Sequence, residues 1–147
     1  MEAQSAQNLK AKGQSHGPKA KTLLQEKSYT FSIRIIRFLE ILQKDFAAQI
    51  IAKQLLRSAT SIGANIIEAK GSSSKRDFAN FFSYALKSAN ESEYWLCLLR
   101  DSKKVDPACM ESLLQENSSL CRMLGASILT LRGKKEPSGS KPMVSTF

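Results

Sequence analysis

Histidine is nearly absent from this chain: the single one, His16, sits in a polar N-terminal stretch. With that histidine in a stretch read as a flexible arm, a Ser-His or Cys-His catalytic pair inside the folded region is not expected, and the Glu-x-x-His motif that carboxylate-bridged di-iron bundles use is missing. Cysteine is scarce as well. Cys97, Cys109 and Cys121 are odd in number, far apart and set in apolar helical patterns. They therefore read as small buried hydrophobes, not as a disulfide framework or a zinc site. No P-loop or dinucleotide-binding glycine pattern occurs. Nothing here calls for a metal or a cofactor, and catalysis is not expected. No apolar run approaches the roughly 20 residues that cross a bilayer. The N-terminal "MEAQSAQNLKAKGQSHGPKAK" also lacks the apolar segment of a secretory signal, so a soluble, cytoplasmic protein with no membrane partner is expected. Alternating Val/Ile/Thr runs and Asn-Gly or Asp-Gly hairpin signals are missing too, which removes the case for a sheet.

What remains is a helical protein of one domain. The 147 residues suit one compact core, and 42% hydrophobic composition is enough to fill it. Net charge is +9, and its distribution is uneven. Residues 1–27 hold five Lys against Glu2 and Glu26, and residues 133–147 hold three Lys against Glu136. The tails thus supply more than half of the excess. Such a balance favours a polyanionic partner, RNA or DNA, or an acidic protein face, without specifying a sequence.

Residues 1–27 and 133–147 are rich in Gln, Ser, Lys, Gly and Pro, which bury too little surface to offset ordering entropy. They read as flexible basic arms around a bundle at 28–132. Within it, Phe31, Ile35, Phe38, Leu39 and Leu42 mark a first helix from about Ser28 to Lys44, by their three- and four-residue spacing. Ile51, Leu55, Ile62, Ile66 and Ala69 mark a second from about Phe46 to Lys70, with Gly71 suited to the left-handed position beyond its end. Ser74 followed by Asp77 resembles a capping box opening a third helix that carries Phe78, Phe82, Ala85, Ala89, Leu96 and Leu99. Asp106 and Pro107 open a fourth, carrying Leu113, Leu120, Leu124, Ile128 and Leu131.

Short connections favour antiparallel neighbours, so the expected architecture is an all-α, up-down-up-down four-helix bundle. In that topology both arms and the turn between helices two and three share one end. Lys27, Lys70, Lys75, Arg76, Arg132, Lys134 and Lys135 gather there against Glu26, Glu68, Asp77 and Glu136. At the other end Lys44, Arg100, Lys103 and Lys104 are balanced by Asp45, Asp101, Asp106 and Glu111. The expected nucleic-acid-binding residues are therefore Lys70, Lys75, Arg76, Arg132, Lys134 and Lys135. Lys10, Lys12, Lys19, Lys21 and Lys27 would act as loose tethers. The arms contain no aromatic residue except Phe147, which argues for backbone-directed contact over base stacking.

The second helix contains an unusual stretch, "RSATSIGANIIEA" (57–69). At about 100° per residue, Gln54, Arg57, Ser61, Asn65 and Glu68 share one stripe. These types can satisfy one another's hydrogen bonds when partly buried, so the stripe reads as a structural network, within the protomer or between subunits, with Glu91 as a candidate partner. Gly63 should cost about 1 kcal/mol relative to Ala in a helix interior. It is expected to admit a closely approaching backbone. Tyr94 and Trp95 border the core face of helix three and are read first as packing.

"QLLRSATSIGANIIEA", "SKRDFANFFSYALKSANESEYWL" and "FSIRIIRFL" together resemble the bacterial 23S rRNA intervening sequence (S23) proteins over about residues 28–132. Gln54, Leu55, Arg57, Ser61, Ile62, Ala64, Asn65, Ile66 and Glu68 carry the resemblance, followed by Phe78, Ala85, Leu86, Ala89, Glu91, Trp95 and Leu96. Many members have Pro where Gly63 stands. The resemblance implies an antiparallel four-helix bundle assembled as a ring-shaped homopentamer and proposed to bind nucleic acid. Related basic bundles serve as accessory proteins to the reverse transcriptases of diversity-generating retroelements, so an enzyme of that kind joins the expected partners. No catalytic residues are implied. The alternative to nucleic-acid binding is a protein-interaction scaffold.

Overall fold

The computed structural model describes residues 16–133, with side chains from residue 22 onward. These residues form four α-helices and no strand: α1 (His16–Glu40), α2 (Phe46–Glu68), α3 (Lys75–Asp101) and α4 (Pro107–Leu131). Local chemistry fixes three of the starts. The Asp45 carboxylate accepts the Ala48 N–H at 2.9 Å. The Ser74 hydroxyl accepts the Asp77 N–H at 3.0 Å, and Asp106 accepts the Ala108 N–H at 2.8 Å with Pro107 behind it in the first turn. Each cap satisfies an otherwise orphaned amide and contributes about 1 kcal/mol.

Two boundaries differ from the sequence reading. The first helix begins at His16 and ends at Glu40, so residues 16–27 are helical where an arm was expected. Gly17 and Pro18 read as breakers, yet a proline in the first helical turn forfeits only an amide that would be unpaired anyway. Leu24 is fully buried, seven residues before the equally buried Phe31, and so continues the core stripe. Gly71 is the second difference. It lies in a 3₁₀ turn, Ala69–Gly71, and the left-handed glycine is Gly133, with φ of 72° just past α4. The remainder of the expected arms, residues 1–15 and 134–147, lies outside the described residues.

α1 packs on α2 and α4, α2 on α3, and α3 on α4, with the α2–α3 contact the most extensive. Small residues explain that intimacy, since Ser58, Ala59, Ala85, Ala89 and Ser92 are all buried. The apolar core runs through Phe31, Ile35, Leu55, Ile62, Phe82, Leu96, Leu113, Leu120 and Leu124. Midway along it lies a polar layer. Ser92 Oγ stands 2.8 Å from Ser58 Oγ, and the buried Asn117 amide donates to the Ala89 carbonyl at 3.0 Å. On the outer side, Arg34 of α1 donates to Ser112 at 2.8 Å and forms an ion pair with Glu116 of α4. Half-exposed pairs of this kind contribute under about 1 kcal/mol each, so they adjust the helix register more than they hold it.

Candidate nucleic-acid interface

The expected basic residues divide into those the structure brings together and those outside its description. Lys75 and Arg76 occupy the first turn of α3, and Arg132 caps the C-terminus of α4. All three line one open concavity of about 430 Å³, together with Ala79, Asn80 and Leu131. Arg132 donates to Ser83 Oγ at 3.2 Å, which lays its guanidinium over the start of α3. Lys70 is exposed in the preceding 3₁₀ turn, and Lys27 is exposed on α1. Lys134, Lys135, Lys10 and Lys12 lie outside the described residues, as do the side chains of Lys19 and Lys21. Among the described residues, none of Lys70, Lys75, Arg76 and Arg132 is ion-paired with a carboxylate.

That placement has an electrostatic cost. The N-terminus of a helix carries about half a positive charge, so each cation in its first turn is disfavoured by roughly 0.3–1 kcal/mol. Asp77 offsets part of this from the same turn. An incoming anion would reverse the sign of the whole arrangement, because helix amides, two flanking cations and Arg132 all favour negative charge at that point.

The polar stripe of α2 is less connected than its composition implied. Arg57 reaches Glu91 of α3 at 3.5 Å, and Glu91 also accepts the Trp95 indole N–H at 3.3 Å. Ser61 and Asn65 turn back onto their own helix, donating to the carbonyls of Arg57 and Ser61 at 2.7 and 2.8 Å. Gln54 and Glu68 make no side-chain hydrogen bond among the described residues. The stripe therefore contributes one inter-helix pair, not a closed network within the protomer. Trp95 is a member of that pair the sequence reading left as packing, although the i, i+4 spacing from Glu91 signalled it.

The family model of the 23S rRNA-intervening sequence protein matches residues 21–126, most of the chain. The chain belongs to that family. A solved structure from the S23 ribosomal protein family of Bacteroides thetaiotaomicron, a protein of unknown function, matches with 38% identity and a TM-score of 0.70. The match covers 74% of this chain and 97% of that one. None of the curated proteins matches.

In this S23-family chain the two ends differ in kind. Away from the basic concavity, Lys104 pairs with Asp45 at 2.7 Å, tying the α3–α4 turn to the α1–α2 turn. The Lys104 ammonium and the Ala48 amide hold the Asp45 carboxyl below its usual range. Arg100 pairs with Asp101 at 2.7 Å and depresses that carboxyl in the same way. Sequence reasoning balanced this end by counting; the structure joins two of its four cations, Arg100 and Lys104, to carboxylates. Cys97 is buried and Cys121 partly so. Burial raises both thiols, Cys121 to about 11. Cys109 is partly buried. No helix among the described residues is long and apolar enough to cross a membrane.

The stripe's neighbours also depart from expectation. Leu56, next to the buried Leu55, is 37% exposed, and Phe46, Ile50 and Ile67 of the same helix are more open still. With Tyr29 and Ile36 of α1, and Ile41 just past its end, they leave several large apolar side chains of this half of the bundle exposed.

Proposed function

We propose that this chain is a cytoplasmic, non-enzymatic, homo-oligomeric bundle that binds nucleic acid, RNA foremost, through its basic end and mainly by backbone contacts. The observation that carries the reading is the cluster of Lys75, Arg76 and Arg132 around one concavity, with no ion-paired carboxylate among the described residues, beside the exposed Lys70. Lys134 and Lys135 follow Arg132 in sequence and extend the same charge. The reading takes the helices as up-down-up-down. Contacts whose partners run in opposite sequence order support it: Ser28 with Gly63 and Ser32 with Ala59, then Asn117 with Ala89 and Arg132 with Ser83.

Self-assembly into a ring, a homopentamer in this reading, would repeat the basic end around one rim and multiply a modest charge per subunit. The exposed apolar side chains of α1 and α2 support a protein contact, because large uncovered apolar surface on a folded protein marks an interaction site. The same residues favour the second reading, an accessory subunit or scaffold docked on a protein such as a reverse transcriptase.

Binding of a labelled RNA, followed by anisotropy across a salt series, separates the two. Each neutralised phosphate of a single strand contributes about −0.7 to the slope of log K against log salt, so three clustered cations predict about −2 per protomer. Lys75→Glu with Arg76→Glu should flatten the slope by about 1.4 and weaken binding at low salt. Absence of binding at the lowest salt, or an unaltered slope in the double variant, would overturn the proposal.

A further inference from the structure

The basic concavity continues along α3 into an exposed aromatic. At about 100° per residue, Arg76, Asn80, Ser83, Tyr84 and Lys87 fall within an arc of roughly 100° on one face of α3. Arg132 is anchored on that face through Ser83. Tyr84 is 49% exposed. Its ring is not loose, since it meets Phe81 edge-on at 6.1 Å between centroids. Lys87 Nζ stands over the Tyr84 ring, 5.9 Å from its centroid, so a cation accompanies the ring as well, on a flexible stem that can swing to a phosphate and yield that face to a base. Eight residues separate Arg76 from Tyr84, about 12 Å along the helix at 1.5 Å per residue. Cations on both sides of an oriented, half-exposed ring are the two ingredients of a single-strand binding track: charge follows the backbone and the ring offers its face to a base. A duplex hides its base faces in the stack and can use only the charge.

We infer that Tyr84 is a stacking platform for an unpaired base, and that the preferred ligand of this surface is single-stranded nucleic acid whose phosphates lie against Lys75, Arg76, Arg132 and Lys87. The inference rests on the nucleic-acid reading above and narrows it. It also revises the expectation of purely backbone-directed contact, which was drawn from the arms and did not weigh a tyrosine within α3.

The test measures full-length protein against a labelled single-stranded RNA, the single-stranded DNA of the same sequence, and the RNA duplex of the same length, each across a salt series. Tyr84→Ala should weaken single-strand binding by about 5- to 150-fold, the range of base–aromatic stacking, while the salt slope and the duplex affinity stay as in wild type. Tyr84→Phe should retain wild-type affinity. Tyr84→Leu keeps apolar bulk on Phe81 but has no π-face, so it should bind as weakly as the alanine variant. Preference for RNA over DNA would locate further recognition at the 2′-hydroxyl; equal binding would place it in base and phosphate alone, and both agree with stacking. Wild-type single-strand affinity in Tyr84→Leu would refute the stacking role and leave the basic surface standing if Lys75→Glu with Arg76→Glu still weakens binding. Equal losses on single strand and duplex would also refute it. Failure of wild type to bind any of the three ligands would overturn both readings.

Discussion

Asn117 is fully buried in α4, and its two amide atoms fare differently. Nδ2 donates to the Ala89 carbonyl at 3.0 Å, whereas Oδ1 has no protein hydrogen-bond partner among the described residues. Leucine at this position would fill a similar volume without either polar atom. The lost hydrogen bond is worth about 1 kcal/mol net, while removing a buried, unpaired acceptor recovers about 1–3 kcal/mol. The Ala89 carbonyl lies within α3, whose own i to i−4 ladder still serves it. Apolar burial adds about 2 kcal/mol, against about 1 kcal/mol of misfit for a near-isosteric swap. Asn117→Leu is therefore expected to stabilise the protein by about 1–3 kcal/mol, a rise in Tm of roughly 3–10 °C for a chain of this size. Urea unfolding followed by circular dichroism and by Trp95 fluorescence, at fixed protein concentration, measures it. Asn117→Ala removes the same polar atoms but leaves a gap, and should fall about 2–5 kcal/mol below the leucine variant. A leucine variant less stable than wild type, with an unchanged m-value, would refute the reasoning. It would show that the bonds of the Asn117 amide to the Ala89 carbonyl and, at 3.9 Å, to the Cys121 sulfur outweigh both desolvation and packing. A stabilised variant with a reduced m-value would mean instead that Asn117, with Ser58 and Ser92, specifies which register the helices adopt.

Four further outcomes are expected. A Cβ added at Gly63 would meet the Ser28 hydroxyl at 3.4 Å and the Ser28 backbone at 4.0 Å, so α1 does pass close, but at ordinary contact distance for a methyl group. Gly63→Ala should therefore raise stability by about 0.5–1 kcal/mol through helix propensity, and a drop in the urea midpoint would contradict this. With its thiol at about 11, Cys121 is ionised in about one molecule in a thousand at pH 8 and should label far more slowly than an exposed cysteine; comparable rates in native protein would show that its burial is not maintained. Asp45 has a depressed folded-state carboxyl, so its contribution is present above the unfolded pKa near 4 and disappears as pH falls through the folded value. Asp45→Asn should flatten the stability profile below about pH 4, and a profile parallel to wild type there would argue against the Lys104 pair. Arg57→Ala should lower stability or shift the mass seen by light scattering if the stripe serves assembly; unchanged mass and stability would reduce it to a solvated face.

How far the sequence could be read depended on whether the controlling interaction was local. The starts of α2, α3 and α4 depend on side chains within three residues of the orphaned amides. Ser74 and Asp106 could be recognised as caps, although Asp45 was not. The start of α1 depends on Leu24 finding a place against other helices, a long-range event whose only local trace was the seven-residue step to Phe31. Gly17 and Pro18 pointed the other way. The basic concavity was deducible because helix parity follows from short turns, and parity puts Arg132 beside Lys75 and Arg76. Its polar surroundings were not, since Asn80 in its lining and Ser83 beyond it acquire meaning only once α4 brings Arg132 across to α3.

The polar stripe shows the limit from the other direction. Composition set Arg57, Ser61 and Asn65 apart from a generic Lys/Glu surface, but it could not distinguish side chains that bond one another from side chains that bond their own backbone. Ser61 and Asn65 do the latter. Periodicity likewise placed Leu56 at the core boundary without detecting that Phe46, Ile50 and Ile67 lie on the solvent side. A helix with apolar residues on more than one side has two faces to cover, and a single bundle covers only one. In the proposed assembly the second face of α2 meets another copy, which leaves Arg57 and Glu91 beside that contact and the basic concavity of α3 and α4 free for nucleic acid. Disrupting the two surfaces separately should then have separable effects: charge reversal at Lys75 and Arg76 weakening binding while mass is preserved, and Phe46→Asp with Ile50→Asp lowering mass while each protomer retains its weak site. Loss of both properties in either variant would show that the surfaces are not independent.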